Sequence, residues 1–362
     1  VSVRNHDEYG HTFSRADGAY DLGVNGGGEI TLDFELLDHL PAQRKVGIDW
    51  QRFEAVDDLI MVELDPEVTL VDFADPIEVA VASEQTDEMG TRTARLMFQQ
   101  GTQATATLDD GSTVNLPNIS VRATEFTVGD NGMQRMPLQL PPNSGYTYAV
   151  AYTIDEAEAL GATRVDFDKP VFTYVDNYWG FPVGSIVPVG YHDPELGQWV
   201  PSEGGGGRVI EVLSTLGGVA ELDLDGDGFA EDAAALSAAG IEAAELEALA
   251  VEYWAGSQIW RTPVTHFTSY DCNWNWGPDC DCGPAGVCSC LPGGGGFSLG
   301  DMGEPCLASG SIIECQNQVL GERIPLHGTG MYLDYRSRRA AGFLPSFSAE
   351  VREIFPLGPP TN

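Results

Sequence analysis

The segment best equipped for chemistry is Asp223-Leu224-Asp225-Gly226-Asp227-Gly228-Phe229-Ala230-Glu231-Asp232. Aspartates at alternate positions can turn carboxylate oxygens toward one cation, and Gly228 permits the sharp turn such a loop needs. The expected ligands are Asp223, Asp225, Asp227, the Phe229 carbonyl, and Glu231 or Asp232. Oxygen donors alone select Ca²⁺ over transition metals. An EF-hand would carry Glu at its twelfth position, where this chain has Ala234, so a shorter structural calcium loop is expected.

Cysteine is the second chemical signal. All seven lie in one stretch: Cys272, Cys280, Cys282, Cys288, Cys290, Cys306 and Cys315. A local cluster among Gly and Pro reads as a disulfide framework formed in an oxidising compartment. Zinc is the rival, but zinc hooks space their cysteines by two to four residues. Here Cys280-Asp-Cys282 and Cys288-Ser-Cys290 have one residue between. Spacing leaves the pairing open, and the odd count leaves at least one thiol free or joined to another chain.

The third signal is aromatic. Tyr174, Tyr178, Trp179, Phe181 and Trp199 read as one edge of a core, or alternatively as a platform on which a glycan stacks. Catalytic patterns are missing: no Gly-x-Ser-x-Gly, phosphate loop or dinucleotide fingerprint occurs. With 55 acidic residues, carboxylate pairs arise by chance. The expectation is a non-enzyme.

Composition narrows the class. The 362 residues carry 55 acids against 18 Lys and Arg, for a formal charge of −37. Nucleic acid is excluded as a partner, because phosphate binding needs clustered bases. No apolar run is long enough to span a bilayer as a helix. The chain opens at Val1 within a strand-like pattern, which reads as a mature product or a fragment. The 43 Gly and 22 Pro favour many turns, hence β-structure.

Period-two alternation places strands at 28–35, 92–98, 102–108, 119–128, 146–154 and 170–175. Short helices are predicted at 155–161, 232–239 and 241–255 from Ala, Glu and Leu content and glycine stops. The domain reading is 1–66, a small β-sandwich; 67–270, a larger one holding the calcium loop and helices; 271–310, the Cys/Gly segment; and 311–362, strands again. The fold class is mainly β, with tandem β-sandwiches.

Three resemblances add to this. Asp17-Gly18-Ala19-Tyr20-Asp21-Leu22, its glycine turn and the next strand resemble carboxypeptidase-regulatory or transthyretin-like sandwiches. Val264-Thr265-His266-Phe267-Thr268-Ser269 is similar to the cleavage motif of the autoproteolytic function-to-find domain family. That likeness implies Thr268 as nucleophile, His266 as base and Phe267–Thr268 as the target bond, with Thr standing where the family has Ser.

The third covers most of the chain. Gln318-Val319-Leu320-Gly321-Glu322-Arg323-Ile324-Pro325-Leu326, followed by Gly328-Thr329-Gly330 and Tyr332-Leu333-Asp334-Tyr335, resembles the segment opening the β-shell of RHS/YD-repeat (teneurin-like) proteins. Upstream phrases such as Arg122–Gly129 and Trp260–Phe267 are similar to the region before such a shell. The resemblance implies a 67–270 domain that plugs the shell, and a 311–362 segment that supplies its first strands. It implies a secreted or cell-surface scaffold whose partner is the downstream shell of the same polypeptide. Repeated YD units are not in these residues. The alternatives are an adhesion module that binds a cell-surface protein or glycan, and a self-cleaving module.

Overall fold

The computed structural model describes residues 1–129, 131–141 and 144–273. Beyond them it describes the strands Cys280–Cys282, Cys288–Cys290, Glu322–Leu326, Met331–Ser337 and Phe347–Arg352. The chain is mainly β, built of several antiparallel sheets. Among the described residues no helix is long and apolar enough to cross a membrane.

Residues 1–61 fold around one antiparallel sheet of Ser2–Val3, Gly28–Phe34 and Ala42–Ile48. Val3, Leu32 and Phe34 form its buried centre. Irregular chain carrying Tyr20, Leu22, Val24, Val56, Leu59 and Met61 packs over it, where a sandwich would place a second sheet.

The larger domain is a two-sheet sandwich. One sheet has six strands in the order Gln198–Pro201, Gly190–Asp193, Ser269–Asp271, Ala149–Ile154, Asn118–Glu125 and Thr69–Asp72. The other has nine and centres on Ala162–Asp176 and Ser257–Phe267, which pair with each other. Asn118–Glu125 shows why the alternation was readable: Ile119, Val121 and Ala123 belong to the core between the sheets, and Ser120, Arg122 and Thr124 alternate with them on the other face. Phe98, Tyr152, Phe167, Trp260, Phe267 and Tyr270 fill the space between the sheets.

The strand expected at 170–175 begins at Ala162. Its first half pairs with Ala104–Leu108 and its second half with Ala94–Gln99. Its pairing with Ser257–Phe267 shifts register between Asp166 and Val171, around Pro170. Proline has no N–H for the ladder, so the irregularity falls where the donor is missing.

Helices Ala233–Ala238 and Ala243–Glu252 belong to a second core, on the other face of the nine-stranded sheet. Leu249 sits there with Tyr174, Ile210, Leu222 and Ile259. Beneath the longer helix, Arg261 donates from Nε to Glu245 at 2.6 Å, and the Tyr174 hydroxyl donates to the same carboxylate.

The two domains are joined by an apolar cluster and a buried cation. Leu40, Phe126, Met136, Leu138 and Trp199 pack together across the junction. Arg44 donates to the carbonyls of Gln43, Met136 and Gln134 at 2.7, 2.9 and 3.0 Å. Burial lowers its guanidinium to about 10. Gln43 adds bonds to Pro194 O at 2.9 Å and, through its side-chain oxygen, to His192 Nε2 at 2.9 Å.

Among the 311–362 residues, Glu322–Leu326, Met331–Ser337 and Phe347–Arg352 make an antiparallel three-stranded sheet in that order. The rest of that region, and most of the Cys/Gly segment with Cys306 and Cys315, lie outside the described residues.

A second buried cation ties the sandwich together. Arg92 bonds Asp87 at 2.8 Å and Glu125 at 2.6 Å, and its side chain is 1% exposed. Burial opposes its charge, but the hydrogen bonds it donates to Asp87 and Glu125 outweigh this and raise its pKa. Removing one partner of a buried pair strands the other charge. Arg92→Met is expected to cost about 3–5 kcal/mol in urea unfolding. A loss below about 1 kcal/mol would show that both carboxylates regain water.

Candidate functional site

The acidic loop is positioned by the strand that enters it. Asp223 ends the strand Glu221–Asp223, opposite Glu211, and is 2% exposed. Its carboxylate accepts from the amides of Asp225, Gly226 and Gly228 at 3.1, 2.6 and 2.8 Å. Asp225 and Asp227 each accept from the amide two residues on, at 3.1 and 2.8 Å. Two glycines seat the loop on its neighbour: a Cβ at Gly226 would lie 2.6 Å from Val183 O, and one at Gly184 would lie 2.5 Å from Asp225 O. Carboxylate oxygens of Asp223, Asp225 and Asp227 gather within 4.8 Å of one another.

Glu231 and Asp232 have partners of their own. Glu231 folds back, accepting from the Leu224 amide at 3.4 Å. Asp232 does not join the cluster. It caps helix Ala233–Ala238, accepting from Ala234 and Ala235 N–H at 2.9 Å each. A helix start has unpaired amides that need such an acceptor. The Phe229 ring is 74% exposed.

The aromatic platform is corrected by burial. Tyr174, Phe181 and Trp199 are 0%, 3% and 5% exposed, each inside a core. Tyr178 and Trp179 are partly buried and pack on the main core. The Tyr178 hydroxyl donates to Thr147 O at 2.6 Å, and Arg92 lies 4.6 Å over its ring. Rings buried in a core, or covered by a cation as Tyr178 is, cannot stack a sugar, which removes Tyr174, Tyr178, Phe181 and Trp199 from the platform. The cleft beside Tyr178 and Trp179 holds about 70 Å³, against roughly 300–1,000 Å³ for small-molecule sites. A larger groove of about 490 Å³ lies at the domain junction, lined by His39, Met61, Asp65, Gln85, Thr124 and Arg135. Sequence reading missed it, because distant segments build it.

His266 and Thr268 stand where the chain crosses from one sheet to the other, between Ser257–Phe267 and Ser269–Asp271. The Thr268 hydroxyl donates to His192 O at 3.0 Å. The His266 ring packs edge-on against Tyr191, 4.6 Å between centroids, and burial lowers its pKa to about 4. Thr268 thus has a main-chain carbonyl as its partner, and the geometry does not deliver its proton to His266. Backbone strain is also missing: the positive-φ residues other than glycine among those described are Asn5, Asp38 and Gln51.

Cys272, grouped by sequence with the disulfide candidates, is a buried free thiol in the sandwich core. Its neighbour Asp271 is buried too. Asn273 donates to the Asp271 carboxylate at 3.2 Å. Asn273 in turn accepts from the Thr147 and Tyr148 amides at 2.7 and 3.2 Å. Loss of water pushes the Asp271 carboxyl up to about 7, against the lowering effect of Asn273 and the Gly190 amide.

Comparison with known proteins finds a likeness for the first domain. Residues 1–61 match the family "Teneurin TTR-like domain". The chain is 35% identical to Teneurin-1 of Gallus gallus over 89 residues, which is 24% of this chain and 3% of that protein. It is 37% identical to Teneurin-3 of Mus musculus over 86 residues, 23% of this chain and 3% of that protein. A longer match, 131 residues at 28% identity, is to Teneurin-3 of Danio rerio, covering 35% of this chain and 5% of that protein. The chain therefore spans a small fraction of the length of these relatives. No solved structure matches the chain.

Asp271 makes stability depend on pH. Its native pKa lies above the ordinary aspartate value, so the folded state keeps a proton that the unfolded state releases. Its contribution is fully present below about pH 4 and is lost as pH rises through about 7. Asp271→Asn is expected to gain on the order of 3 kcal/mol over the wild type between pH 5 and pH 8. The difference between the two urea-unfolding profiles measures it. Parallel profiles would show that Asp271 titrates normally.

Proposed function

We propose that this chain is a non-catalytic extracellular scaffold: a teneurin-like N-terminal domain clamped to a β-sandwich that anchors or plugs a β-shell of the RHS/YD type. The observation that carries the reading is the teneurin TTR-like match of residues 1–61. Docking of that domain through Arg44 and the Leu40–Trp199 cluster supports it, because a scaffold must hold its parts in fixed relation. The three-stranded sheet at 322–352 agrees with this, since among the described residues neither outer strand has a further neighbour. Unpaired edges invite additional strands. The partner is then the downstream shell of the same polypeptide, and the site of action is the cell surface or beyond it. The acidic surface keeps such an assembly soluble. The test is to express the polypeptide with whatever its gene encodes after Asn362 and image it by electron microscopy. A hollow shell closed at one end by this chain is expected. A downstream sequence without Tyr-Asp repeats, or particles without a shell, would end the proposal.

Calcium is the proposed cofactor of this scaffold. The support is the Asp223, Asp225 and Asp227 cluster, whose carboxylates repel unless a cation sits among them. Calcium at about 100 times its Kd adds about 2.7 kcal/mol, so the melting temperature is expected to be higher in calcium than in chelator. In Asp225→Asn/Asp227→Asn the two melts are expected to coincide. Coincident melts of the wild type, after metal removal is confirmed, would refute a stabilising site.

A further inference from the structure

The sequence leaves the cysteine pairing open, and the backbone register narrows it. Strand Cys280–Cys282 pairs antiparallel with Cys288–Cys290, placing Cys280 opposite Cys290, Asp281 opposite Ser289, and Cys282 opposite Cys288. Residues two apart in a strand share a face. All four cysteines therefore occupy one face of the ribbon, and Asp281 and Ser289 occupy the other.

Distance separates the possible pairings. Directly opposed residues of an antiparallel ladder have Cα atoms about 4.5–5.5 Å apart. A disulfide needs roughly 4.4–6.8 Å. Diagonal neighbours, Cys280 with Cys288 and Cys282 with Cys290, stand about 7–8 Å apart. Same-strand neighbours are about 6.6 Å apart along the strand, too far for the Cβ separation of about 3.5–4.5 Å. A zinc ion would need four sulfurs at about 2.3 Å in a tetrahedron, whereas one ribbon face offers a flat rectangle of about 5 by 7 Å. Parity agrees: Cys272 is free and buried, which leaves an even number of cysteines beyond it.

We propose that Cys280–Cys290 and Cys282–Cys288 are two stacked cross-strand disulfides, and that Cys272 is the odd thiol. Each bridge joins two thiols into one S–S bond and gives up two protons and two electrons. A disulfide-bearing oxidant takes them by thiol–disulfide exchange, its own S–S bond breaking to two thiols. The outcome is a doubly closed ribbon directly after the sandwich, with Gly283-Pro284-Ala285-Gly286-Val287 inside the inner bridge.

The test uses the full chain secreted into an oxidising compartment, then blocked with N-ethylmaleimide in denaturant without reductant. Digestion before aspartate is needed, since no Lys or Arg lies between Arg261 and Arg323. In the wild type, label is expected on Cys272 and on none of the four ribbon cysteines. Cys280→Ser is expected to label Cys290, and Cys282→Ser to label Cys288. Fragmentation of the linked wild-type peptide 279–300 gives the same assignment without a variant. Label on Cys288 in Cys280→Ser, or a diagonal linkage in the wild type, would overturn the pairing. So would four labelled ribbon thiols with one zinc per chain in native mass spectrometry.

Discussion

A guanidinium held by three main-chain carbonyls fixes the geometry on which the rest depends. Arg44 belongs to the central run of the first domain's strand Ala42–Ile48, and two of its acceptors, Gln134 and Met136, belong to the larger domain. Arginine suits the position because its charge is spread over a planar fork of donors and is weakly hydrated. The carbonyls gain as well, since buried main-chain acceptors need a partner. Apolar contacts from Leu40 to Trp199 supply the affinity of the two surfaces, and Arg44 supplies the register. The junction thus behaves as part of one core rather than as a sliding contact.

What sequence could show follows from how local each signal is. Strands such as Asn118–Glu125 were legible because alternation needs only a few consecutive residues. The helix Asp155–Leu160 was legible for the same reason: an acidic first turn and Gly161 in the left-handed conformation are adjacent features. The three aspartates of the loop came together because they share one turn of chain. Asp232, offered as the alternative to Glu231, caps the helix that the sequence starts at the same residue. The first half of Ala162–Asp176 was hidden by Arg164, Asp166, Asp168 and Lys169, whose charges obscure a strand.

Nonlocal partners were illegible. Tyr174 looks like a ligand aromatic until a helix some seventy residues later covers it and Glu245 takes its hydroxyl. Arg92 meets Glu125 across 33 residues. Nothing near either residue announces the pairing. The buried cations Arg44, Arg92 and Arg261 are matched in the interior by Asp65, Asp223, Glu245 and Asp271. The excess of 55 acids over 18 Lys and Arg therefore falls on the surface, which favours repulsion between copies.

One crossing has a mechanical meaning. The chain enters the final stretch of the sandwich along Ser257–Phe267 in the middle of the nine-stranded sheet, then continues along Ser269–Asp271 in the middle of the six-stranded sheet. Tension applied beyond Cys272 therefore runs along two interior strands in series. Their ladder bonds lie across the line of pull and load together in shear, instead of parting one at a time as an outer strand would when peeled. A tether attached at that point is gripped by both layers of the sandwich at once.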